Sequence, residues 1–456
     1  MKFKTLKPYL IVLILINIFL SAWYVINKDI LFHTDIARDF LVMEDIVKTM
    51  KPTLIGPRAG GISGVFHGPL WFYISLPAFI IGKGNPVFIG WFWVFLSCLS
   101  IFITYYFGKK LFNEKIGIIS AFILSIFSIS YTNSLLQPFG ALILFPIFFF
   151  LFKKYLNNLR IKYLISALLF LGFIIQFQMA FGVPILVLTT AYLTRFLLRK
   201  KKPLHFFSFF ILLIPLSTFL LFDLRHDFLQ SKSIINYLLT KQKVGELNFT
   251  HLIFNRIKGF FVDGINMFPK NTWLNLPLTI IFSWVFIKYR KKEIKYKDNY
   301  LLFFYFYTGY WVISLFFKGN IWNYYFLPFL PLTILIFISF VNLINKKIFI
   351  TIFIYILIIN YFTGIDSIKS AGSGWSFYHN LAKDVYRDAN NKEFCFYPYS
   401  SDQLAYSEKY AISFTQREFI KTKSNPFKKC QITYLIYSPP PKDRKWLNGE
   451  WWKKIK

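Results

Sequence analysis

The residues best suited to chemistry stand together near the start of the chain, in the run Phe32-His33-Thr34-Asp35-Ile36-Ala37-Arg38-Asp39. The spacing of apolar residues predicts a short amphipathic helix over 36–50, with Asp35 at its start and Arg38 one turn later on the same face. A carboxylate in that place either caps the helix or acts as a general base. An arginine beside it either forms a local ion pair or holds an anion.

The remaining polar residues of this region have less specific patterns. Asp39, Glu44 and Asp45 are expected on a solvated face of the helix, and Asp39 is also a candidate for substrate binding. His67 follows in the run Phe66-His67-Gly68-Pro69-Leu70, at the start of an aromatic segment. It either hydrogen-bonds a substrate or is an ordinary interfacial histidine.

The composition indicates that a membrane positions these residues. Of the 456 residues 55% are hydrophobic and 16% are charged, against about 25% charged in a soluble domain. Apolar runs of about 20 residues recur along the chain, as in bilayer-spanning proteins. The net charge of +32 falls mostly in short runs between apolar segments. It therefore indicates orientation in the membrane rather than binding of nucleic acid.

Loop charge predicts the topology. The first apolar segment, 9–26, follows a basic start and is interpreted as an uncleaved anchor with its N-terminus in the cytoplasm. Ten further spans are predicted at 86–107, 116–132, 138–152, 163–180, 182–198, 205–222, 272–288, 300–317, 324–343 and 347–364. Every second short connection is rich in lysine and arginine, so these connections are expected inside. The longer segments 27–85 and 223–271 are then expected outside.

The sequence thus predicts an all-α polytopic protein of the plasma membrane, with about eleven transmembrane helices within residues 1–364. The apolar segment 66–82 is expected as an interfacial or re-entrant helix on the outer face, because a crossing there would move every later basic connection outside. Residues 365–456 contain more charge and two strand-like runs, 394–399 and 431–437. They are predicted to form a small extracytoplasmic α/β domain.

The three cysteines divide between these regions. Cys98 falls inside a span, whereas Cys395 and Cys430 both fall in the C-terminal region. Outside the membrane they either form a disulfide or remain two buried thiols. A bridge that closes a loop of 35 positions would stabilise a small domain by roughly 3–4 kcal/mol. It requires two Cα atoms no more than about 7 Å apart.

The motifs around Asp35 resemble a known family. The pattern D-x-A-R-D, followed about thirty residues later by H-x-P-L and aromatic residues, is similar to glycosyltransferase family 39. That family includes dolichyl-phosphate-mannose protein mannosyltransferases and bacterial lipid A aminoarabinose transferases, which share the C-type membrane glycosyltransferase fold. Further matching segments are Asn133-Ser134-Leu135-Leu136-Gln137-Pro138, Phe222-Asp223-Leu224-Arg225-His226-Asp227 and Tyr324-Tyr325-Phe326-Leu327-Pro328. Departures are Gly68, where many members have proline, and Ile36, where many have a second acid.

The resemblance implies transfer of a sugar, with inversion, from a polyprenyl-phosphate carrier to a lipid, glycan or protein acceptor on the outer side of the membrane. Asp35 matches the family's catalytic aspartate and Arg38 its phosphate-binding arginine. The family generally uses no metal and no cofactor, so none is expected. Two alternatives remain from the hydropathy pattern: a lipid-sugar flippase or exporter without chemistry, and a polysaccharide polymerase.

Two more groups of residues are candidates for this chemistry. The segment 223–271 is basic, with Arg225 and His226 just above a span as the candidates for donor phosphate. Its other basic residues are Lys232, Lys241, Lys243, Arg256 and Lys258. A long outer loop also escapes the positive-inside rule, which would leave its charge without meaning. At another outer helix end, Lys318, Tyr324 and Tyr325 either contact substrate or belong to an interfacial belt.

The sequence also argues against other classes. The spans are almost free of acids, so an ion-coupled transporter would lack its carboxylate relay. No P-loop, GxGxxG or HExxH motif occurs, and the six histidines have no metal-binding spacing.

Overall fold

A computed structural model describes residues 3–59, 61–239, 248–369, 374–399 and 404–437. Lys241 and Lys243 of the predicted basic segment lie outside these residues. The first ten α-helices are α1 (Phe3–Ser21), α2 (Trp23–Ile26), α3 (Thr34–Thr49), α4 (Leu70–Ile81), α5 (Pro86–Leu111), α6 (Glu114–Tyr131), α7 (Pro138–Asn158), α8 (Ile161–Phe177), α9 (Met179–Lys200) and α10 (Leu213–Arg225).

The remaining elements complete the bundle and the C-terminal region. They are α11 (Leu229–Leu239), α12 (Phe249–Lys258), α13 (Asn275–Tyr289), α14 (Lys297–Ile313), α15 (Leu330–Ser339), α16 (Lys346–Lys369), α17 (Trp375–Ala389), β1 (Phe394–Tyr399), α18 (Tyr406–Thr415), β2 (Ser424–Pro426) and β3 (Thr433–Tyr437). Short 3₁₀ turns lie at Thr132–Ser134, Pro203–Leu212, Thr272–Leu274, Ser314–Phe316, Asn323–Tyr325, Leu327–Phe329 and Phe340–Asn342, and a π turn at Gly259–Asp263.

Each predicted span contains a helical segment. Within the described residues six helical segments are long and apolar enough to cross a membrane: Pro86–Leu111, Glu114–Ser134, Pro138–Asn158, Met179–Lys200, Pro203–Arg225 and Lys346–Ile368. Shorter apolar helices lie at Thr5–Ser21, Leu70–Ile81, Ile161–Phe177 and Leu327–Asn342. The total of eleven spans stays a prediction.

Local sequence explains where several helices begin. Asn85 and Asn113 cap α5 and α6 by accepting the backbone N–H groups of Val87 and Ile116, at 2.9 and 3.0 Å. Inside the bundle, the Asn17 amide donates to Ser125 Oγ at 2.8 Å and accepts from the Tyr361 hydroxyl at 2.8 Å. Such hydrogen bonds hold helices together where lipid offers no hydrophobic driving force.

Helix α4 corresponds to the predicted interfacial or re-entrant segment. Its 12 residues give a length of about 18 Å, whereas the hydrocarbon core of a bilayer is about 30 Å thick. Helix α4 alone is shorter than this core, and its placement as an interfacial or re-entrant helix stays a prediction. It packs against α3, α5 and α8. Helix α4 thereby connects segment 27–85, of which it is a part, to the helical bundle.

The described part of the C-terminal region combines helices with a parallel sheet in the order β2-β1-β3. Cys395 on β1 stands opposite Asn425 on one side and Thr433 on the other. It is bonded to Cys430, with Cα atoms 5.7 Å apart, which confirms the predicted disulfide. One boundary differs from the prediction: position 364 lies inside α16, which continues to Lys369.

The C-terminal region packs directly on segment 27–85. Leu31 forms a β-bridge with Gly374, and the Asp29 carboxylate accepts from the backbone N–H and hydroxyl of Ser376, at 2.9 and 2.7 Å. The Phe32 ring lies against Trp375, with ring centres 5.1 Å apart. We call these contacts, together with the Glu44–Arg417 ion pair at 2.8 Å, the clamp.

Candidate functional site

Helix α3 presents the candidate catalytic residues at its first turn. His33 precedes the helix in an extended conformation, and its ring Nδ1 accepts the backbone N–H of Asp35 at 3.3 Å. His33 is thus the capping residue, and the alternative interpretation of Asp35 as the helix cap is wrong. The Asp35 side chain, 52% exposed, instead faces Arg38.

Arg38 lies between two carboxylates. Its Nη1 donates to Asp35 Oδ1 at 2.7 Å. Its Nε and Nη2 both donate to Asp39 Oδ1, at 3.0 and 2.7 Å. The guanidinium is therefore held from behind by Asp39, and its outer edge points at the exposed Asp35.

The predicted solvated face of α3 is wrong at two of its three positions. Asp39 is 3% exposed, and Glu44 is also buried, whereas Asp45 is exposed. Asp39 is covered by Arg38 and by residues of α4 and α5, and Glu44 is covered by Arg417 and Ser413 of the clamp. Amphipathic spacing indicates a polar face but does not reveal that another part of the chain covers it.

Burial sets the charge state of this cluster. It raises the pKa of Asp39 to about 6, against the opposing effect of Arg38. Burial alone would lower the pKa of Arg38, but the Asp39 and Asp35 carboxylates raise it above its ordinary value. Arg38 is therefore a permanent cation shared by two acids with different exposure.

His67 is brought to the same place. Burial lowers its pKa to about 4, and the charge of Arg38 acts in the same direction. Its Nδ1 accepts the backbone N–H of Met179 at 3.3 Å, which leaves the proton of the neutral ring on Nε2. His67 is a neutral donor beside the cation.

Tyr324 also lies within reach of the cluster. The charges of Asp35 and Arg38 act on the Tyr324 hydroxyl in opposite directions. Its side chain is 44% exposed, whereas the neighbouring Tyr325 is buried. The two rings meet edge to face at 4.9 Å, so Tyr325 supports Tyr324 rather than facing outward.

The remaining candidates belong to other surroundings. Lys318 holds α11, because its backbone N–H and Nζ donate to the hydroxyl and carbonyl of Tyr237 at 2.6 and 3.1 Å. The His226 ring stacks on Phe222 at 4.2 Å, and its Nδ1 donates to the Phe222 carbonyl at 2.8 Å. Arg225 is exposed. Within the described residues no hydrogen bond or ion pair joins these three to Asp35 or Arg38.

The predicted basic surface of 223–271 needs a correction at Arg256. This side chain is buried and donates to the carbonyl oxygens of Ser314, Phe317 and Gly319, at 3.1, 2.5 and 2.7 Å. Its charge is used inside the protein to satisfy backbone acceptors, so Arg256 is not part of a surface for phosphate or lipid headgroups.

A cavity of about 340 Å³ lies beside Tyr324. Two of the matching segments line it, through Ser134, Leu135, Leu136 and Pro138 from one and Tyr324 and Leu327 from the other. The remaining lining is mostly apolar, with Lys270 as its cation. Lys270 pairs with Asp366 at 2.7 Å. No sequence pattern indicates Lys270, because it stands alone between two unrelated elements.

His33 and Lys270 are the site residues that the sequence did not indicate. The position of His33 just before an amphipathic helix is a usable signal, since that position favours a side-chain acceptor. Within the described ranges no three His, Cys, Asp or Glu side chains gather as a metal ion requires.

Comparisons with known proteins give a structural match only. No family model and no curated protein matches the sequence. ArnT from Cupriavidus metallidurans in the apo state is similar in structure with a TM-score of 0.57, at 9% identity, over 92% of this chain and 89% of ArnT. ArnT bound to undecaprenyl phosphate is similar with a TM-score of 0.54, at 10% identity, over 92% and 90%.

The oligosaccharyltransferase of Archaeoglobus fulgidus, solved with Zn and sulfate, is also similar. Its TM-score is 0.50 at 13% identity, over 91% of this chain. The chain spans 62% of that protein's length. The matches to ArnT and to this enzyme extend over nine-tenths of the chain, so the protein is a multi-pass membrane protein with the C-type glycosyltransferase fold.

Proposed function

We propose that this protein is an inverting glycosyltransferase that moves a sugar from a polyprenyl-phosphate carrier to a lipid, glycan or protein acceptor on the outer face of the plasma membrane. One observation carries the proposal: a half-exposed carboxylate, Asp35, lies 2.7 Å from a permanent cation, Arg38, at the start of a helix. The shared fold supports it, since one of the similar structures holds undecaprenyl phosphate.

The proposed reaction is a single displacement. The acceptor oxygen forms a bond to the anomeric carbon as the bond from that carbon to the phosphate oxygen breaks. The acceptor proton passes to the Asp35 carboxylate, which acts as general base. The carrier phosphate leaves with the bonding electron pair, and attack from the opposite side inverts the anomeric centre.

Arg38 stabilises the leaving group in this scheme. A guanidinium binds phosphate through two parallel N–H groups, and a preorganised cation is most effective where water is scarce. Asp39 holds Arg38 by accepting from its Nε and Nη2. The Arg38 side chain is therefore already ordered before the sugar donor binds. Neutral His67 can donate through Nε2 to a sugar or phosphate oxygen.

The cavity beside Tyr324 suits the carrier. Its lining is mostly apolar, as a polyprenyl chain requires, and Lys270 supplies a cation. Tyr324 lines the cavity and lies within reach of the charges of Asp35 and Arg38. We therefore assign Tyr324 and Lys270 to donor binding. We assign Arg225 and His226 to a second, weaker site for the donor phosphate, and Lys318 and Tyr325 remain candidate contacts for the substrate.

Sugar transfer tests the proposal. Membranes that contain the protein are given a panel of radiolabelled polyprenyl-phosphate sugars, and the label in the acceptor fraction is measured. General base catalysis is worth about 10²–10⁴-fold, so Asp35→Asn should lower transfer at least about a hundredfold while the protein stays folded.

Asp45→Asn is the matched control, since Asp45 is an exposed acid on the same helix. It should leave transfer unchanged. Near-normal transfer by Asp35→Asn would place the base elsewhere. Movement of label across the bilayer without a new glycosidic bond, unaffected by Asp35→Asn, would indicate a flippase.

A further inference from the structure

A small void lies against Asp39, the residue that holds Arg38. Its volume is about 10 Å³, and Ile36, Asp39, Phe40, Ser75 and Trp93 are among the residues that line it. Three of its residues, one each from α3, α4 and α5, have a buried polar atom without a hydrogen-bond partner in the described chain: Asp39 Oδ2, Ser75 Oγ and Trp93 Nε1.

These three atoms form a complementary set. The indole N–H of Trp93 only donates, an ionised Asp39 only accepts, and the Ser75 hydroxyl does either. A buried polar atom left without a partner has lost its hydrogen bonds to water and gained none in return, which destabilises the fold. A void of about one probe sphere with two to four polar neighbours is large enough for one water molecule. One water can satisfy all three atoms at once.

The two oxygens of Asp39 have separate tasks. Oδ1 receives both Nε and Nη2 of Arg38, which fixes the plane of the guanidinium and turns Nη1 toward Asp35. Oδ2 is buried, has no hydrogen-bond partner in the described chain and is the oxygen available to the void. Asp39 itself is too deeply buried to touch a substrate.

We propose that Asp39 is a positioning residue, anchored by Ser75, Trp93 and one buried water, that aims Arg38 at Asp35 and at the leaving phosphate. The anchoring part stands on the geometry of the void. The catalytic consequence rests on the proposed glycosyltransferase function. Asp39 thereby differs from the substrate-binding residue that the sequence suggested.

The pH dependence follows from the groups around Asp39. Among the residues that line the void Asp39 is the titratable one, and the other charges that act on it are Arg38 and Asp35. With a pKa raised to about 6, Asp39 holds Arg38 through a full charge above pH 6. Below it, a proton enters, and Oδ2 receives it because Oδ1 already accepts two N–H groups.

Folding and transfer should therefore respond to pH in opposite directions. A raised pKa in the folded state adds stability that is fully present below pH 3.8, the ordinary pKa of aspartate, and is lost as the pH rises from there through about 6. Transfer should increase over the same interval, because charged Asp39 holds Arg38. A residue needed only for packing would not separate the two.

The test compares the full-length protein with Asp39→Asn, which mimics the neutral acid. Unfolding temperature and transfer are measured from pH 4.5 to 8. We expect the unfolding temperature of the wild type to fall through pH 6 relative to Asp39→Asn. Transfer by the two should converge below pH 6 and differ about tenfold at pH 7.5, the loss that one charged hydrogen bond predicts.

Trp93→Phe and Ser75→Ala test the anchor. Each removes one partner of the water, so each should move the step in unfolding temperature to higher pH. Trp91→Phe on the same helix is the matched control, because Trp91 is exposed, and it should leave the step in place. If Asp39→Asn does not fold, these variants carry the same test.

Combining Asp39→Asn with Arg38→Lys separates positioning from a general structural role. Positioning predicts that the double variant transfers no less sugar than Arg38→Lys alone. Parallel unfolding curves for the wild type and Asp39→Asn, or additive losses in the double variant, would overturn the proposal. Absence of transfer from every donor, with the pH step in unfolding intact, would overturn the proposed function alone.

Discussion

The two long segments that are predicted to lie outside the membrane each contain an arginine with several polar contacts, but the contacts differ. In the first, 27–85, Arg38 is held by buried Asp39 and still presents Nη1 to exposed Asp35. In the second, 223–271, Arg256 donates to three backbone carbonyls and is 4% exposed. The first arginine keeps an open side toward solvent, whereas the second is enclosed by the chain.

The difference shows what a basic loop sequence means. Both segments contain lysine and arginine, but charge alone does not indicate a ligand. A cation whose donors already meet backbone carbonyls contributes to folding. A cation paired with one buried and one exposed acid has a rigid support and an edge that a ligand can reach. The proposed role of Arg38 toward the leaving phosphate requires both.

Removal of the two arginines should separate folding from activity. Arg256→Met leaves three carbonyl oxygens without a donor, at roughly 1–3 kcal/mol each. We expect the largest effect of all here: a large fall in unfolding temperature and little folded protein. Arg38→Met should stay folded and lose transfer at least about a hundredfold. Yield, unfolding temperature and transfer per folded molecule are measured for both. A folded but inactive Arg256→Met would reverse the comparison.

The first segment also depends on the clamp, through Glu44. This buried carboxylate accepts from Arg417 at 2.8 Å and Lys48 at 3.0 Å. Both cations are partly exposed, so Glu44→Gln should cost about 1–2 kcal/mol, between the values for exposed and buried pairs. Thermal unfolding measures it. Glu293→Gln is the matched control, because Glu293 pairs with Lys297 on the surface. Equal effects in the two variants would show that the clamp adds nothing.

The exposed cation of the second segment should have the smallest effect. Arg225 is exposed and has no partner in the described residues, so its contribution to donor binding is a screened attraction. Arg225→Ala should lower transfer a few-fold at low salt and not at all in about 1 M salt. Initial rates over a salt series measure this, with Lys232→Ala as a second exposed cation. A loss that persists at high salt would make Arg225 a direct ligand.

The sequence predicts those features that arise from neighbours along the chain. Apolar runs predict the helices, and the i to i+3 spacing predicts the contact of Asp35 with Arg38. The predicted disulfide between Cys395 and Cys430 is confirmed. It forms because both cysteines adjoin strands of one sheet. These predictions need only periodicity, spacing and location.

The features that the sequence missed depend on segments far apart in the chain. Asp39 and Glu44 are buried because α4, α5 and α18 cover a face that looks polar and solvated in isolation. The cavity beside Tyr324 is lined by residues from α6, α7, α15, α16 and the connections between helices, and Lys270 among them has no local motif. Periodicity within one helix carries no information about what covers it.

Because the clamp joins residues from the two ends of the chain, it determines when the candidate site can be completed during synthesis. Residues 27–50 are synthesised early, but Phe32 packs against Trp375 and Glu44 against Arg417. The ribosome adds both of these partners more than three hundred residues later. The helical bundle can assemble as it emerges, in the N- to C-terminal order usual for nascent chains. The start of α3 acquires its final neighbours last, so the candidate site is completed only after the helical bundle has been synthesised.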